Sequence, residues 1–422
     1  MNRVEKTELK NGVRIITERM PNVRSVSMSI WVYAGSRDEN PDENGVSHFI
    51  EHMIFKGTKR RSGFQIAKDF DAIGGMSNAF TSKESTCFHA KVMDTHLDIM
   101  VDLLSDIFLN SIFDGREIER ERQVILQEIA MMEDTPDDHI HTLLAEAFWG
   151  GNHSLGMSIL GTEDTVSALN AEAINHYLER TYLPDRIIIA ATGNINHAQF
   201  VDMLQGSFAH ISRKAQFPER VLPETRSVVA TYPKDLEQVH VCIGTKGLSV
   251  TAPRRYEISL LNIILGGSMS SRLFQEVREN RGLAYSIFSF QSPYVDTGML
   301  GIYAGTDEKS IDETLSIISE QITLMKKRPV KEEELGAAKE HFKGGLYLAA
   351  ESTDNRMNRL AQGEFYFGRY VSLEEVMQGL EKVTSGDIQA MADEIFEERY
   401  MSSVFLGPVQ GKDRVYREAF RF

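Results

Sequence analysis

Polar and apolar residues alternate at the start of Val26–Ala34 and predict a strand there. Helical spacing takes over at Val46–Phe55, stopped by Gly57, and returns at Phe64–Ile73, closed by Gly74 and Gly75. Ser77–Thr81 and Thr86–Met93 read as two strands. Thr95–Phe108 reads as an amphipathic helix, Asp114–Glu133 as a strongly charged one, and Asp137–Trp149 as a third. A helix at Ala171–Leu183, a strand at Arg186–Ile195 and a helix at Ala198–Ala209 complete a first half.

The same order then returns at an offset of roughly 210 residues: strand Val239–Gly244, helices Tyr256–Leu265 and Ser271–Asn280, strands Ala284–Phe290 and Met299–Ala304, helices Ser310–Met325 and Glu332–Leu348. Local echoes support the repeat, with GGMSNAF from Gly74 set against RGLAYSI from Arg281. Between the halves, residues 211–227 lack periodicity and hold two prolines. The pattern predicts an α+β protein of two homologous α/β-sandwich domains, each an antiparallel-rich sheet flanked by helices. Residues 1–212 form the first, 213–227 a linker and 228–422 the second.

Composition narrows the function. The chain of 422 residues is 42% hydrophobic and 25% charged, as expected of a globular protein, and its net charge is −15. Such an acidic chain repels phosphate backbones and anionic lipid, which argues against nucleic acid and membrane surfaces as partners. Charges interrupt the first twenty residues every few positions and no apolar run approaches membrane-spanning length, so the expected location is the cytoplasm. Two cysteines, Cys87 and Cys242, are too few for a disulfide scaffold and fit a reducing compartment.

The sharpest chemical feature is His48-Phe49-Ile50-Glu51-His52. Residues four apart on a helix share a face with Cβ atoms about 5–6 Å apart, close enough for two imidazoles to meet one metal ion. Glu51, near the same face, is placed to take a proton from water beside that metal. The arrangement is the reverse of the H-E-x-x-H zinc helix. A catalytic zinc needs a third protein ligand, and the charged helix offers Glu117, Glu119, Glu121, Glu128 and Glu133. Glu117 and Glu119 read as a solvated face. Glu128 stands where the helix turns apolar, and Glu121 lies two turns earlier on the same side, where it could instead hold a histidine through its second nitrogen; spacing leaves both open as the ligand.

HFIEHMIFKGT followed by ERERQVILQE resembles the pitrilysin/insulinase family of inverted-motif zinc metallopeptidases, in the bacterial branch near the β subunit of the mitochondrial processing peptidase. The resemblance runs through GGMSNAFTSKEST into the second half. It implies a LuxS/metallohydrolase-like fold, one zinc ion (Zn2+) per subunit held by His48, His52 and Glu128, Glu51 as the base, and Glu121 as a carboxylate supporting the site. It implies that the strand carrying Asn78, Ala79 and Phe80 receives an extended peptide by backbone pairing. Arg278 and Tyr285, seven apart in the second half, match the family's pair that binds the substrate carbonyl and stabilises the oxyanion; Arg281 competes with Arg278 for that role. Leu265–Arg272, with Gly266 and Gly267, lacks the phosphate-loop pattern and resembles a shortened glycine-rich substrate loop. His139, His141 and His153 read as structural or surface residues. The chain has the length of one half of the family's clamshell, yet carries both the metal motif and the Arg/Tyr pair. The implied enzyme is an endopeptidase for unfolded or short peptides, working as a homodimer with composite sites. The alternatives are the active subunit of a hetero-oligomeric processing peptidase and a non-catalytic scaffold subunit.

Overall fold

The computed structural model describes residues 4–410. The first sheet has six strands: β1 (Val4–Glu8), β2 (Arg14–Arg19), β3 (Ser25–Val32), β4 (Met76–Thr81), β5 (Thr86–Met93) and β6 (Ile187–Gly193). Its order is β1-β2-β6-β3-β5-β4, antiparallel throughout except for the parallel pair β2/β6. The second sheet contains β7 (Val229–Pro233), β8 (Val239–Lys246), β9 (Ala284–Pro293), β10 (Gly298–Thr306) and β11 (Ser402–Gly407). Its order is β7-β11-β8-β10-β9, with one parallel pair, β7/β11. Strand for strand this matches β2-β6-β3-β5-β4, so the repeat seen in the sequence is a repeat of topology.

The central strands of both sheets are buried on both faces, and the pleat divides each of them between two cores. Val26, Met28, Ile30 and Val32 of β3 join the main core of the first sheet with Ile187 and Ile189 of β6. Trp31, Ile16, Ile188 and Ala190 point the other way, against Met357, Leu360, Ala361 and Phe365 of the helix Thr353–Phe367. In the second sheet Val239, Val241 and Ile243 face one core. Cys242, Val404 and Leu406 face Ile140, Leu144 and Phe148 of the helix Pro136–Trp149. Strands covered on both sides need no polar face, which is why β6 reads as the unbroken IIIAATG.

These covering helices make each compact unit discontinuous in sequence. One unit comprises residues 1–130, 158–221 and 347–371; the other comprises 131–157, 222–346 and 372–422. Thr353–Phe367 therefore belongs with the first sheet and Pro136–Trp149 with the second. Strands β1, β2, β7 and β11, and helices after Ala350, were not anticipated from the pattern. The segment Ser271–Asn280, expected as an ordinary helix, is wound over Phe274–Glu279 as a π-helix, with Asn280 N–H donating to Gln275 O at 2.8 Å.

The aperiodic stretch after residue 212 is fastened to the first unit by charge. Arg220 makes two bonds of 2.8 Å to Asp38, whose carboxylate is wholly enclosed, and lies 3.4 Å from Glu84, which also meets Arg37 at 2.7 Å. Arg186 stacks on Phe217 at 3.8 Å. Removing one partner of a buried ion pair leaves an uncompensated charge. Arg220→Ala should therefore cost about 3 kcal/mol in urea unfolding. Arg220→Lys should recover only part of that, because an ammonium cannot reproduce the bidentate fork. A loss below about 1 kcal/mol would make this an ordinary surface pair.

Candidate metal centre

The histidine helix, Val46–Met53, is only eight residues long. Val46, Phe49, Ile50 and Met53 are buried in the main core of the first unit, which holds its inner face. Its N-cap, Gly45, has φ of +96°, and a Cβ there would come within 2.7 Å of Leu160 O, so only glycine fits the entry turn. Gly45 has no side chain to cap the helix. Glu39 does so from the preceding loop, accepting from the N–H groups of Gly45 and Ser47, both at 2.8 Å. Ser47 Oγ donates to Tyr177 Oη at 2.8 Å, and Tyr177 donates to Gly35 O at 3.1 Å.

His48 and His52 emerge one turn apart with ring centroids 4.6 Å from each other. The long helix Gly115–Glu133 lies against them because Ile118, Ile125 and Ile129 enter the same core. It delivers Glu128 Oε2 to 3.7 Å from His48 Nε2 and 3.5 Å from His52 Nε2. One ligand atom from each residue lies within 4.8 Å of the others. Two ligands of a tetrahedral zinc at about 2.0–2.1 Å stand roughly 3.3 Å apart, so the three side chains fit that ion with little adjustment. Burial, with His52 alongside, lowers the His48 pKa to about 4, which keeps the imidazole neutral and its nitrogen lone pair available near neutral pH.

Glu121 and Glu128, both left open by spacing, take different places. Glu121 Oε2 lies 3.2 Å from His52 Nδ1, on the far side of the ring from Glu128, and Oε1 meets Lys56 Nζ at 2.6 Å. That contact favours a proton on Nδ1 and leaves Nε2 to face Glu128. His48 Nδ1 is buried without a hydrogen-bond partner, so the two histidines are supported unequally.

Burial raises the Glu51 carboxyl above the ordinary range, while a hydrogen bond from Thr81 opposes the rise. Thr81 ends β4, the last strand of its sheet, which among the described residues pairs with β5 alone and leaves its other edge open. On β4, Asn78 is exposed and its Oδ1 accepts from Ala79 N–H at 2.9 Å; Ala79 is buried, and Phe80 packs edge-on against Trp31 at 5.3 Å. Beside the strand is a cavity of about 680 Å³ bounded by Asn78, Phe55, Lys56, Phe64, Phe70 and Arg120, among others.

Arg278 and Tyr285 lie in the second unit. The Arg278 guanidinium sits 4.9 Å from the centre of the Tyr285 ring, and Tyr285, on the edge strand β9, is 79% exposed. Arg281, the competing arginine, forms an ion pair with Glu276 instead. A cavity of about 630 Å³ lies beside the glycine-rich loop and is lined by Ser268, Ser271 and Arg272. His141 is packed among Phe288, Phe290 and Tyr303, and His153 Nδ1 accepts from Leu155 N–H at 3.1 Å; His139 Nδ1 is buried without a partner. Among the described residues, His48, His52 and Glu128 form the only such ligand cluster.

Two members of the site had not been anticipated. Lys56 was within reach of the pattern, since it lies four residues beyond His52 and one further turn along. Glu39 was not, because its role depends on how an irregular loop folds back.

Comparison with known proteins finds relatives along most of the chain. Residues 14–163 match the family profile described as insulinase (peptidase family M16), and residues 168–342 match that of the peptidase M16 inactive domain. An uncharacterized zinc protease of Bacillus subtilis (strain 168) is 43% identical over 397 residues, covering 94% of this chain and 97% of that protein. Another, from Streptomyces coelicolor, is 39% identical over 417 residues, covering 97% and 90%. Among solved structures, a protease from Helicobacter pylori shares the fold with a TM-score of 0.90 at 22% identity, covering 97% of this chain and 100% of that one. The peptidase M16 inactive domain from Pseudomonas fluorescens does so with a TM-score of 0.89 at 18% identity, covering 96% and 98%. Aligned with such relatives over nearly its whole length, the chain belongs to the insulinase family of metallopeptidases, peptidase family M16.

Proposed function

We propose that this chain is a zinc-dependent endopeptidase that hydrolyses unfolded or short peptides inside a chamber formed by a homodimer. The observation that carries the reading is the convergence of both Nε2 atoms on one oxygen of Glu128, with the raised carboxyl of Glu51 three residues from His48 on the same short helix. His48, His52 and Glu128 would hold one zinc ion. Zinc in that place would supply Lewis acidity, enough to lower the pKa of water towards about 7.

The remaining steps belong to the protein. Glu51 accepts the proton of the attacking water and returns it to the departing amine; a carboxyl raised by burial is better matched to both transfers than an exposed one. Glu121 fixes the ring of His52 and is itself fixed by Lys56. The substrate backbone adds to the open edge of β4 at Asn78, Ala79 and Phe80, taking over the Ala79 N–H that Asn78 now holds. A substrate side chain next to β4 enters the cavity, whose wall combines Phe55, Phe64 and Phe70 with Lys56, Glu117 and Arg120 and so suits a side chain with an apolar body and a polar end. Arg278 and Tyr285 of a second copy bring a cation and a phenol donor to the developing oxyanion.

No helix among the described residues is long and apolar enough to cross a membrane, and both cysteines are free and buried. With the acidic net charge, these support a cytoplasmic enzyme acting on peptides, with neither nucleic acid nor membrane as a partner.

Glu51→Gln should retain zinc and lose peptide cleavage by at least about 10²–10⁴-fold, measured with a quenched fluorescent peptide alongside metal analysis. Cleavage at the wild-type rate would remove Glu51 from the role of base. Glu128→Gln should lose both metal and activity, and a chelator should inactivate the wild type until zinc is restored. Mixing inactive Glu51→Gln with inactive Tyr285→Phe protein should recover activity after subunit exchange. Absence of recovery, with exchange verified, would count against sites shared between copies.

A further inference from the structure

We infer that Glu39, nine residues before the first histidine and outside the metal-binding motif, is a positioning residue for the metal centre: it fixes the first turn of the histidine helix so that His48 and His52 present their nitrogens together. The inference rests on the zinc reading above.

An eight-residue helix has little stability of its own, because nucleation costs more than two turns of hydrogen bonds return. Its first N–H groups have no partners within the helix, and its N-cap glycine offers no side-chain acceptor. Glu39 meets this deficit with both oxygens. Oε1 accepts from Ser47 N–H, and Oε2 accepts from Gly45 N–H and, at 2.9 Å, from Asn44 Nδ2. Ser47 directly precedes His48, so the bond acts one residue from a candidate ligand. Asn44 also donates to Ser158 O at 2.9 Å, which ties the same loop to a second segment of the unit.

A carboxylate suits this position because it only accepts. Glutamine has the same shape but offers one accepting oxygen and would turn an NH2 group towards existing donors. Glu39 is 7% exposed, and burial raises its pKa to about 7 despite the hydrogen bonds from Ser47 and Gly45. Lys83, half-buried, is a cation whose charge acts with that of Glu39. The next residue back, Asp38, is clamped by Arg220, so the loop bearing Glu39 is held from behind.

The test compares zinc affinity of the apo-protein, by competition with a chromophoric chelator, in wild type and Glu39→Gln. The visible absorption of the cobalt-substituted proteins reports ligand geometry independently of activity. Glu39→Gln should bind zinc about 10–100-fold more weakly and shift the cobalt spectrum, with the circular dichroism of a folded protein. Leu103→Ala, which opens a cavity elsewhere in the same core, should lower the melting temperature while leaving zinc affinity within about twofold. If Glu39→Gln lowers the melting temperature but keeps both wild-type affinity and spectrum, Glu39 only stabilises the fold and the inference is wrong. Should Glu39→Gln fail to fold, Asn44→Ala, which frees Oε2 on one side, decides: several-fold weaker zinc binding supports the inference and unchanged binding overturns it. A wild-type protein that binds no zinc would instead overturn the functional reading on which this rests.

Discussion

Two imidazoles can share a metal only while their helix stays still, and the helix that carries them is too short to hold itself. Eight residues yield few internal hydrogen bonds, so the position of His48 and His52 is imposed by what surrounds them. Four apolar side chains press one face into the core. The loop from Gly35 to Gly45 secures the first turn through Glu39 and, by way of Tyr177, through Ser47. The long acidic helix closes the remaining side with Glu121 and Glu128. The hydrophobic contacts set where the helix lies, but they do not fix its rotation to the fraction of an ångström a metal site requires. Directional hydrogen bonds from buried groups do that, at the cost of enclosing a carboxyl.

The electrostatics of the site follow from unequal burial of similar groups. Glu39, Glu51, Glu121 and Glu128 all belong to this unit, yet their surroundings separate their roles. Glu51 is raised by desolvation and held by Thr81, which suits a group that must gain and lose a proton. Glu121 is paired with the Lys56 ammonium and faces the back of a histidine ring, where a stable acceptor is wanted. Glu128 faces the Nε2 atoms of both histidines, with no cation among its close partners in the described residues, an arrangement that a divalent ion would satisfy. Imidazoles and carboxylates with one charge missing between them are a better argument for a metal than the five-residue motif alone.

How much of this was readable beforehand depends on the range of the interactions. The histidine pair, Glu51 and the charged helix are local patterns, visible as spacing. The choice of Glu128 over Glu121 as the one facing both nitrogens is a matter of helix rotation, which spacing left open. The central strands were legible where apolar runs are continuous, as in β6, whereas β2 (RIITER) and β11 (SSVFLG) gave no clear strand signal because charge or serine flanks a short apolar core. The helix Thr353–Phe367 hid for a similar reason: TDNRMNRLAQGEFYF carries charge on most sides, and only its seat against Trp31 and Ile188 makes Met357, Leu360 and Phe365 a coherent face. Its membership in the first unit, like that of Pro136–Trp149 in the second, could not be read from sequence order at all, since a helix of about this length with one apolar face fits either sheet. Glu39 was hidden because a loop conformation with a left-handed glycine carries no periodic signal.

The repeat explains why chemistry is concentrated in one unit. The helix Arg255–Leu265 follows β8 as the histidine helix follows β3, but its inward residues are Ile258, Leu261 and Leu265, with no ligand. The counterpart of the acidic helix, Glu332–Ala349, buries Leu335 and Ala338. With apolar side chains at the corresponding positions, this unit has no such ligand cluster among its described residues, and most of the stretch matched by the inactive-domain profile, residues 168–342, lies in it. What it keeps is the open edge: β9 ends the second sheet as β4 ends the first, and the sequence echo aligns Tyr285 with Asn78. An edge strand is the part of the fold suited to an extended peptide, whereas the interior helix is the part suited to a metal. A duplicated fold freed from metal binding can therefore turn the same edge position to hydrogen-bond donation, with Arg278 stacked behind the phenol. In the proposed enzyme the two halves thus divide one reaction: the first supplies the ion and the base, and the second supplies the donors for the charge that the attack creates.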